Sequence, residues 1–154
     1  MEFFLNIPNN KTDNTLTEQI LSENDSIEFH KTLPNYSNSQ LFELKSLSTN
    51  LGCGNIYLKD ESKRFNLNAF KGLGASYAIK KLLMDDPKIS VFCTATDGNH
   101  GKAVAWSALI NKKKSVVYVP KDTTAERIDA IAQFGGEVIQ LNMNYEETCN
   151  YAAE

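Results

Sequence analysis

Three short apolar runs, Val91-Phe92-Cys93-Thr94, Ser115-Val116-Val117-Tyr118-Val119 and Val138-Ile139-Gln140-Leu141, are separated by two stretches of helical length and pattern. This alternation constrains the fold more than any other feature of the chain. Strands separated by a helix need a crossover connection, so the runs are predicted to lie parallel in one open α/β sheet built of βαβ units. Right-handed crossovers then set the helices against the sheet. The first intervening helix is predicted from Asn99 to about Asn111, with Ala103, Val104, Trp106, Ala108 and Leu109 as its apolar positions. The second opens at Thr123-Thr124-Ala125-Glu126, which has the spacing of a capping box, buries Ala125, Ile128 and Ile131, and stops at Gly135-Gly136. Asn144 is predicted to cap a last helix, Tyr145 to Ala153. Cys93, inside an apolar run, is expected to be buried.

The N-terminal part is less patterned. Asn9-Asn10-Lys11-Thr12-Asp13-Asn14 reads as a loop, and Ile20-Leu21 and Ile27-Phe29 as short helices laid on a larger body. His30 reads as a surface histidine. Leu41, Leu44, Leu47 and Leu51 recur at helical spacing between Ser39, a fitting N-cap, and Gly52, a fitting C-terminal glycine. Ile56 to Lys59 reads as a strand. The helix that follows carries Leu73, Tyr77 and Leu83 and ends at Asp85-Asp86-Pro87.

Composition excludes several classes of function. The net charge of −3 offers no broad basic face, so no nucleic-acid partner is expected. The one basic run, Lys112-Lys113-Lys114, closes a helical pattern and reads as a solvated helix end. No segment approaches the ~20 apolar residues of a membrane span, so no membrane partner is expected. The three cysteines match no zinc or redox spacing, which fits a reducing cytoplasm.

Two stretches carry the chemistry. In Asn68-Ala69-Phe70-Lys71-Gly72-Leu73-Gly74, Lys71 falls at the first turn of a helix, where backbone amides lack partners and an anion is favoured. The two glycines remove side-chain bulk around it. In Thr94-Ala95-Thr96-Asp97-Gly98-Asn99-His100-Gly101, a strand end meets a helix start, which is where open α/β sheets bind ligands. Gly98 and Gly101 permit close backbone approach, and Asn99 offers a neutral donor and acceptor.

Together these stretches resemble the fold-type II pyridoxal-phosphate enzymes, a group with threonine and serine dehydratases, cysteine synthase and the tryptophan synthase β chain. Lys59-Asp60-Glu61-Ser62, Arg64-Phe65, Asn68-Ala69-Phe70-Lys71, the Thr94 to Gly101 stretch and Val104-Ala105-Trp106 look like diaminopropionate ammonia-lyase within that group. The resemblance implies pyridoxal 5'-phosphate as cofactor, carried by Lys71 with Phe70 beside it and Asn99 on its ring hydroxyl. It implies an amino-acid substrate whose carboxylate meets Thr96, Gly98 and His100, with Asp97 as a second catalytic base. An aspartate capping the following helix is the alternative for Asp97. The implied reaction is α,β-elimination of 2,3-diaminopropionate to pyruvate and ammonia, in amino-acid catabolism, by a cytoplasmic homodimer at full length.

The chain departs from the family pattern at Ser39-Gln40-Leu41, where a Thr-Pro-Leu step is usual, and in a shorter connection from Lys71 to Asp97. The resemblance places residues 1–88 in an N-terminal segment with part of the large domain. It places 89–154 in the small α/β domain and leaves the C-terminal half of the large domain, with its phosphate loop, outside the chain. A serine or threonine dehydratase, or an inert truncated fragment, are the alternative readings, and the 154 residues alone are expected to be catalytically silent.

Overall fold

The computed structural model describes residues 25–154. The loop at 9 to 14 and the Ile20-Leu21 cluster lie outside the described residues. Helix α1, Asp25–Lys31, has Asp25 and Glu28 in its first turn and His30 and Lys31 in its last, matching its dipole. It contains the Ile27-Phe29 cluster. His30 is half-buried rather than a surface residue: its Nε2 lies 2.8 Å from the Leu73 carbonyl and its ring packs among Phe29, Phe65 and Tyr77.

Strand β1 (Gln40–Glu43) pairs antiparallel with β2 (Tyr57–Asp60), and helix α2 (Lys45–Leu51) connects them. The helix expected from Ser39 to Gly52 is therefore only its second half. Leu41 stands opposite Lys59 in the ladder, and the Ser39 hydroxyl accepts a bond from Arg64 Nη2 at 3.0 Å instead of capping a helix. Gly52 closes α2 as expected, in the left-handed conformation at φ 62.

A 3-10 turn, Arg64–Asn66, leads to helix α3, Lys71–Asp85. In this coil Phe65, Asn66 and Asn68 all have left-handed φ, of 52, 60 and 57°. Asparagine tolerates that region; for phenylalanine it is a steric cost that packing must offset. Phe65 is 1% exposed and stacks on Trp106, with ring centroids 4.8 Å apart. Arg64 clamps the start of the coil. It bonds both Glu61 oxygens, the Ser37 carbonyl at 2.6 Å and Ser39, and its hydrogen bonds hold the Glu61 carboxyl below its usual range.

The three-stranded sheet has the order β3 (Val91–Ala95), β4 (Lys114–Val119), β5 (Glu137–Gln140), all parallel. It is the open α/β sheet read from the sequence. Helices α4 (Asn99–Ile110) and α5 (Ala125–Ala132) are its crossovers, and α6 is Tyr145–Ala153. Successive β4 residues face opposite sides. Val117 and Val119 pack with Ala105 of α4 and Ile131 of α5, whereas the Tyr118 ring meets Tyr151 of α6 edge-on. So α6 covers the face away from α4 and α5. Helix α4 is buried nearly all round, as its alanines allow, between the sheet and Ala75 and Ile79 of α3.

The expected Asn144 cap is present. The Asn144 side chain accepts from the Glu147 amide and the Glu147 carboxylate from the Asn144 amide, both at 2.9 Å. The box expected at Thr123 does not form. Thr124 holds the N-cap position without a side-chain bond, and the buried Thr123 hydroxyl has no partner among the described residues. Of the three residues expected to be buried on α5, Ile131 is, Ile128 is half-buried and Ala125 is exposed. Cys93 is exposed because it alternates with the buried Phe92 and faces away from α4. Lys112 forms a left-handed turn after α4, and Lys113 donates to the Pro87 carbonyl at 3.0 Å.

Gly101 explains how α4 lies so close to the sheet. A Cβ there would sit 2.6 Å from Thr96 Cγ2, 2.9 Å from Val117 Cγ1 and 3.0 Å from Ile131 Cδ1. Gly101→Ala is expected to lower stability by about 1–3 kcal/mol through overpacking, read as a drop in the denaturant midpoint at unchanged slope. No loss would mean that α4 moves off the sheet freely.

Candidate active site

The C-terminal ends of parallel strands and the N-termini of the helices that follow enclose an open cleft of about 510 Å³. Lys71, Thr96, Asp97, Gly98, Asn99, His100, Lys102, Glu126, Arg127, Ala130 and Tyr145 line it. Of the residues singled out from sequence, Lys71, Thr96, Asp97, Gly98, Asn99 and His100 are thus brought together. Phe70 is not among them: it is 57% exposed, with its ring centroid 5.2 Å from the Lys71 ammonium.

Lys71 is the first residue of α3. It stands there because the coil before it is packed from below. A Cβ on Gly72 would fall 2.7 Å from Leu67 Cδ1 and 2.9 Å from Phe65 Cδ2, so this glycine lets the first turn settle on that coil. Gly74 faces open space.

On the other wall, α4 begins without a side-chain cap, and its hydrogen-bonding starts with the Lys102 amide on the Gly98 carbonyl at 3.3 Å. The amides of the first turn are left without an intrahelical carbonyl and favour an anion. The buried Thr96 hydroxyl accepts from the Gly98 amide at 3.1 Å, which shapes the loop. Gly98 itself has open space where a Cβ would be. Partial loss of water around the ring first, and then the charge of Lys71, push the His100 imidazole below its usual range, although the residue itself stays exposed. A histidine so shifted takes up its proton more readily unfolded than folded. Acidification through the ordinary histidine range therefore subtracts from stability, and that contribution is intact above it. Lys71→Met removes one cause, so His100 is expected to titrate higher in the variant, as read from its ring proton shifts; an unchanged midpoint would separate the two groups electrostatically.

Asp97 does not cap α4. Its carboxylate lies 3.5 Å from Arg127 Nη1, which also donates to the Asp97 backbone carbonyl at 3.1 Å. Both side chains are more than half exposed, so the ion pair contributes little stability; it ties the loop after β3 to the first turn of α5, which the loop after β4 leads into. Gln140 steadies the second of these loops by donating to the Lys121 and Thr123 carbonyls at 2.9 and 3.0 Å. Lys102, Glu126, Arg127, Ala130 and Tyr145 were not singled out from the sequence. Only Lys102, directly after Gly101, had a signal there, since its motif neighbours were already chosen. The others lie at the starts of later helices: Glu126 was read only as part of a capping box and Tyr145 only as a helix start, and Arg127 and Ala130 belong to no motif.

A family model described as pyridoxal-phosphate dependent enzyme matches residues 32–154. The diaminopropionate ammonia-lyase of Salmonella typhimurium is 44% identical over 145 residues, 80% of this chain and 36% of the relative. That of Escherichia coli K12 is 37% identical over 164 residues, 94% of this chain and 41% of the relative. A crystal structure of the Escherichia coli enzyme in complex with an aminoacrylate-PLP azomethine reaction intermediate superposes with a TM-score of 0.80 at 40% identity, covering 83% of this chain and 36% of that one. The chain thus spans 36 to 41% of the length of these curated relatives. With a matching family model over most of its length and the same α/β fold, the chain belongs to the pyridoxal-phosphate dependent enzymes.

Proposed function

We propose that the protein carrying this chain eliminates both amino groups of 2,3-diaminopropionate, yielding pyruvate and ammonia, with pyridoxal phosphate held at Lys71. The observation that carries this reading is that Lys71, Asp97 and Asn99 line one cleft; the two relatives with the same activity support it. The residues present fit the cofactor: a lysine amine for its aldehyde, a side-chain amide at Asn99 for a ring oxygen, and the uncapped first turn of α4 for an anion.

When bound, the cofactor supplies the electron sink that makes the substrate Cα acidic. Lys71 Nζ would hold it covalently, and the same amine, when free, would serve as a base for the Cα proton. Asp97 takes that proton through a carboxylate oxygen in the opposite enantiomer, so the two residues divide D- and L-substrate between them. Asn99 orients the ring, and Thr96, Gly98 and His100 receive the substrate carboxylate at the α4 N-terminus. His100, held below its usual range, adds no charge of its own there at neutral pH. Phe70 flanks Lys71 and screens its amine from one side.

The same reading assigns residues 1–88 to an N-terminal segment with part of the large domain and 89–154 to part of the small one, with a homodimeric assembly at full length and a cytoplasmic role in amino-acid catabolism; the family resemblance supports these points. Light scattering of the purified protein checks the dimer. Pyruvate release from D- and L-2,3-diaminopropionate, compared with serine and threonine, tests the activity. Faster turnover of serine or threonine replaces the lyase by a dehydratase of the same fold, and no release from any of them leaves a protein without this activity.

A further inference from the structure

We infer that Lys102 is a positioning residue for Lys71. Its ammonium donates to the Leu67 carbonyl at 2.8 Å and so ties the coil ahead of α3 to the first turn of α4. The inference rests on Lys71 being the lysine that holds the cofactor.

The coil needs such a tie. Three non-glycine residues in left-handed conformation, Phe65, Asn66 and Asn68, fall within four positions just before Lys71. Backbone of this kind persists only where its surroundings over-determine it. Arg64 fixes one end of the coil, through Glu61, Ser37 and Ser39. Phe65, stacked on Trp106, and Leu67, 1% exposed, anchor its middle through side chains. Beyond Leu67, four residues from the reactive amine, Lys102 reaches the backbone itself.

Lys102 is suited to this task. It sits one residue after Gly101, whose contacts fix α4 on the sheet, so its Cα is held by the core. Its ammonium makes no ion pair among the described residues, and a charged donor gives the Leu67 carbonyl a stronger bond than a neutral one. Lys71 and Lys102 line the same cleft from opposite walls. The bond therefore fixes the coil that leads into Lys71 against the start of α4.

The test compares Lys102→Met, Lys102→Gln and Lys102→Arg with the parent protein in two measurements. The first, without cofactor, is amide hydrogen exchange over residues 65–71. The second is the rate at which added pyridoxal phosphate becomes fixed on Lys71 by borohydride. Removing the charge is expected to speed exchange in that segment alone and to slow fixation about ten- to a hundredfold, the scale of a misplaced reacting group. Lys102→Arg keeps the charged donor and is expected to restore most of both. Should the methionine variant fail to fold, the glutamine variant decides. Unchanged exchange and fixation overturn the inference. So does a general loss of stability with fixation per folded molecule unchanged, because that marks a merely structural lysine. Parent protein that fixes no cofactor overturns the functional reading instead, and the exchange measurement then decides alone whether Lys102 holds the coil.

Discussion

In the full-length protein carrying this chain, Lys71→Ala is expected to abolish the fixation of pyridoxal phosphate by borohydride, and with it pyruvate release from either enantiomer of 2,3-diaminopropionate. This is the largest single-residue effect expected, because the proposed role makes this one amine both anchor and base. The cleft makes the result informative, since Lys102 lines it as well. Lys102 is held by the Leu67 carbonyl, while the Lys71 ammonium stands by the Phe70 ring and makes no hydrogen bond or ion pair among the described residues. Mass spectrometry of the peptides after reduction identifies the modified lysine. A modified Lys102 in the parent protein, or an adduct that persists in Lys71→Ala, reverses the assignment. The substitution leaves the fold intact, because alanine is a better helix former than lysine and Lys71 is exposed.

Asp97→Asn is expected to lower turnover of D-2,3-diaminopropionate by ~10²- to 10⁴-fold, the range for a lost general base. Turnover of the L-enantiomer falls far less, since Lys71 still serves there, and cofactor fixation persists. The substitution is a clean one. Arg127 keeps its bond to the backbone carbonyl at position 97, so the loop stays tied to α5 when the carboxylate is gone. An amide of the same size retains the hydrogen-bonding shape without the basic oxygen. Pyruvate formation from each enantiomer, variant against parent, is the measurement. Equal losses with both enantiomers make Asp97 a positioning residue, and no loss with either removes it from the reaction.

Features that depend on neighbours in sequence were legible before the structure was known. The Asn144–Glu147 cap, the glycine end at Gly52 and the parallel sheet with its two crossovers all follow from local spacing. The same logic misled at Leu41 and Leu44. Their spacing with Leu47 and Leu51 is helical, but β1 is decided by its pairing with β2, a non-local contact that no window of that length contains. At Thr123 the box spacing is present, yet the chain starts its helix one residue later and buries the hydroxyl. The left-handed Phe65 runs against its own conformational preference and makes sense only with Trp106 beneath it. Lys71 and the Asp97 to His100 loop stood out because they are contiguous words. Arg127 and Tyr145 did not, being single residues that tertiary structure carries to the site.

That the cleft is walled by the starts of α3, α4, α5 and α6 has a consequence for how the molecule is made. During synthesis α3 and α4 can pack as soon as both have emerged, because their shared core needs nothing beyond Ala108. The wall carrying Glu126 and Arg127 waits until β4 has paired with β3, and that pairing is what draws α5 across. Tyr145 comes last. Parallel pairing closes long loops before it returns any contact energy, so it is the slow step. The emerging chain thus presents Lys71 facing the start of α4 while the side carrying Glu126, Arg127 and Tyr145 is still open to water.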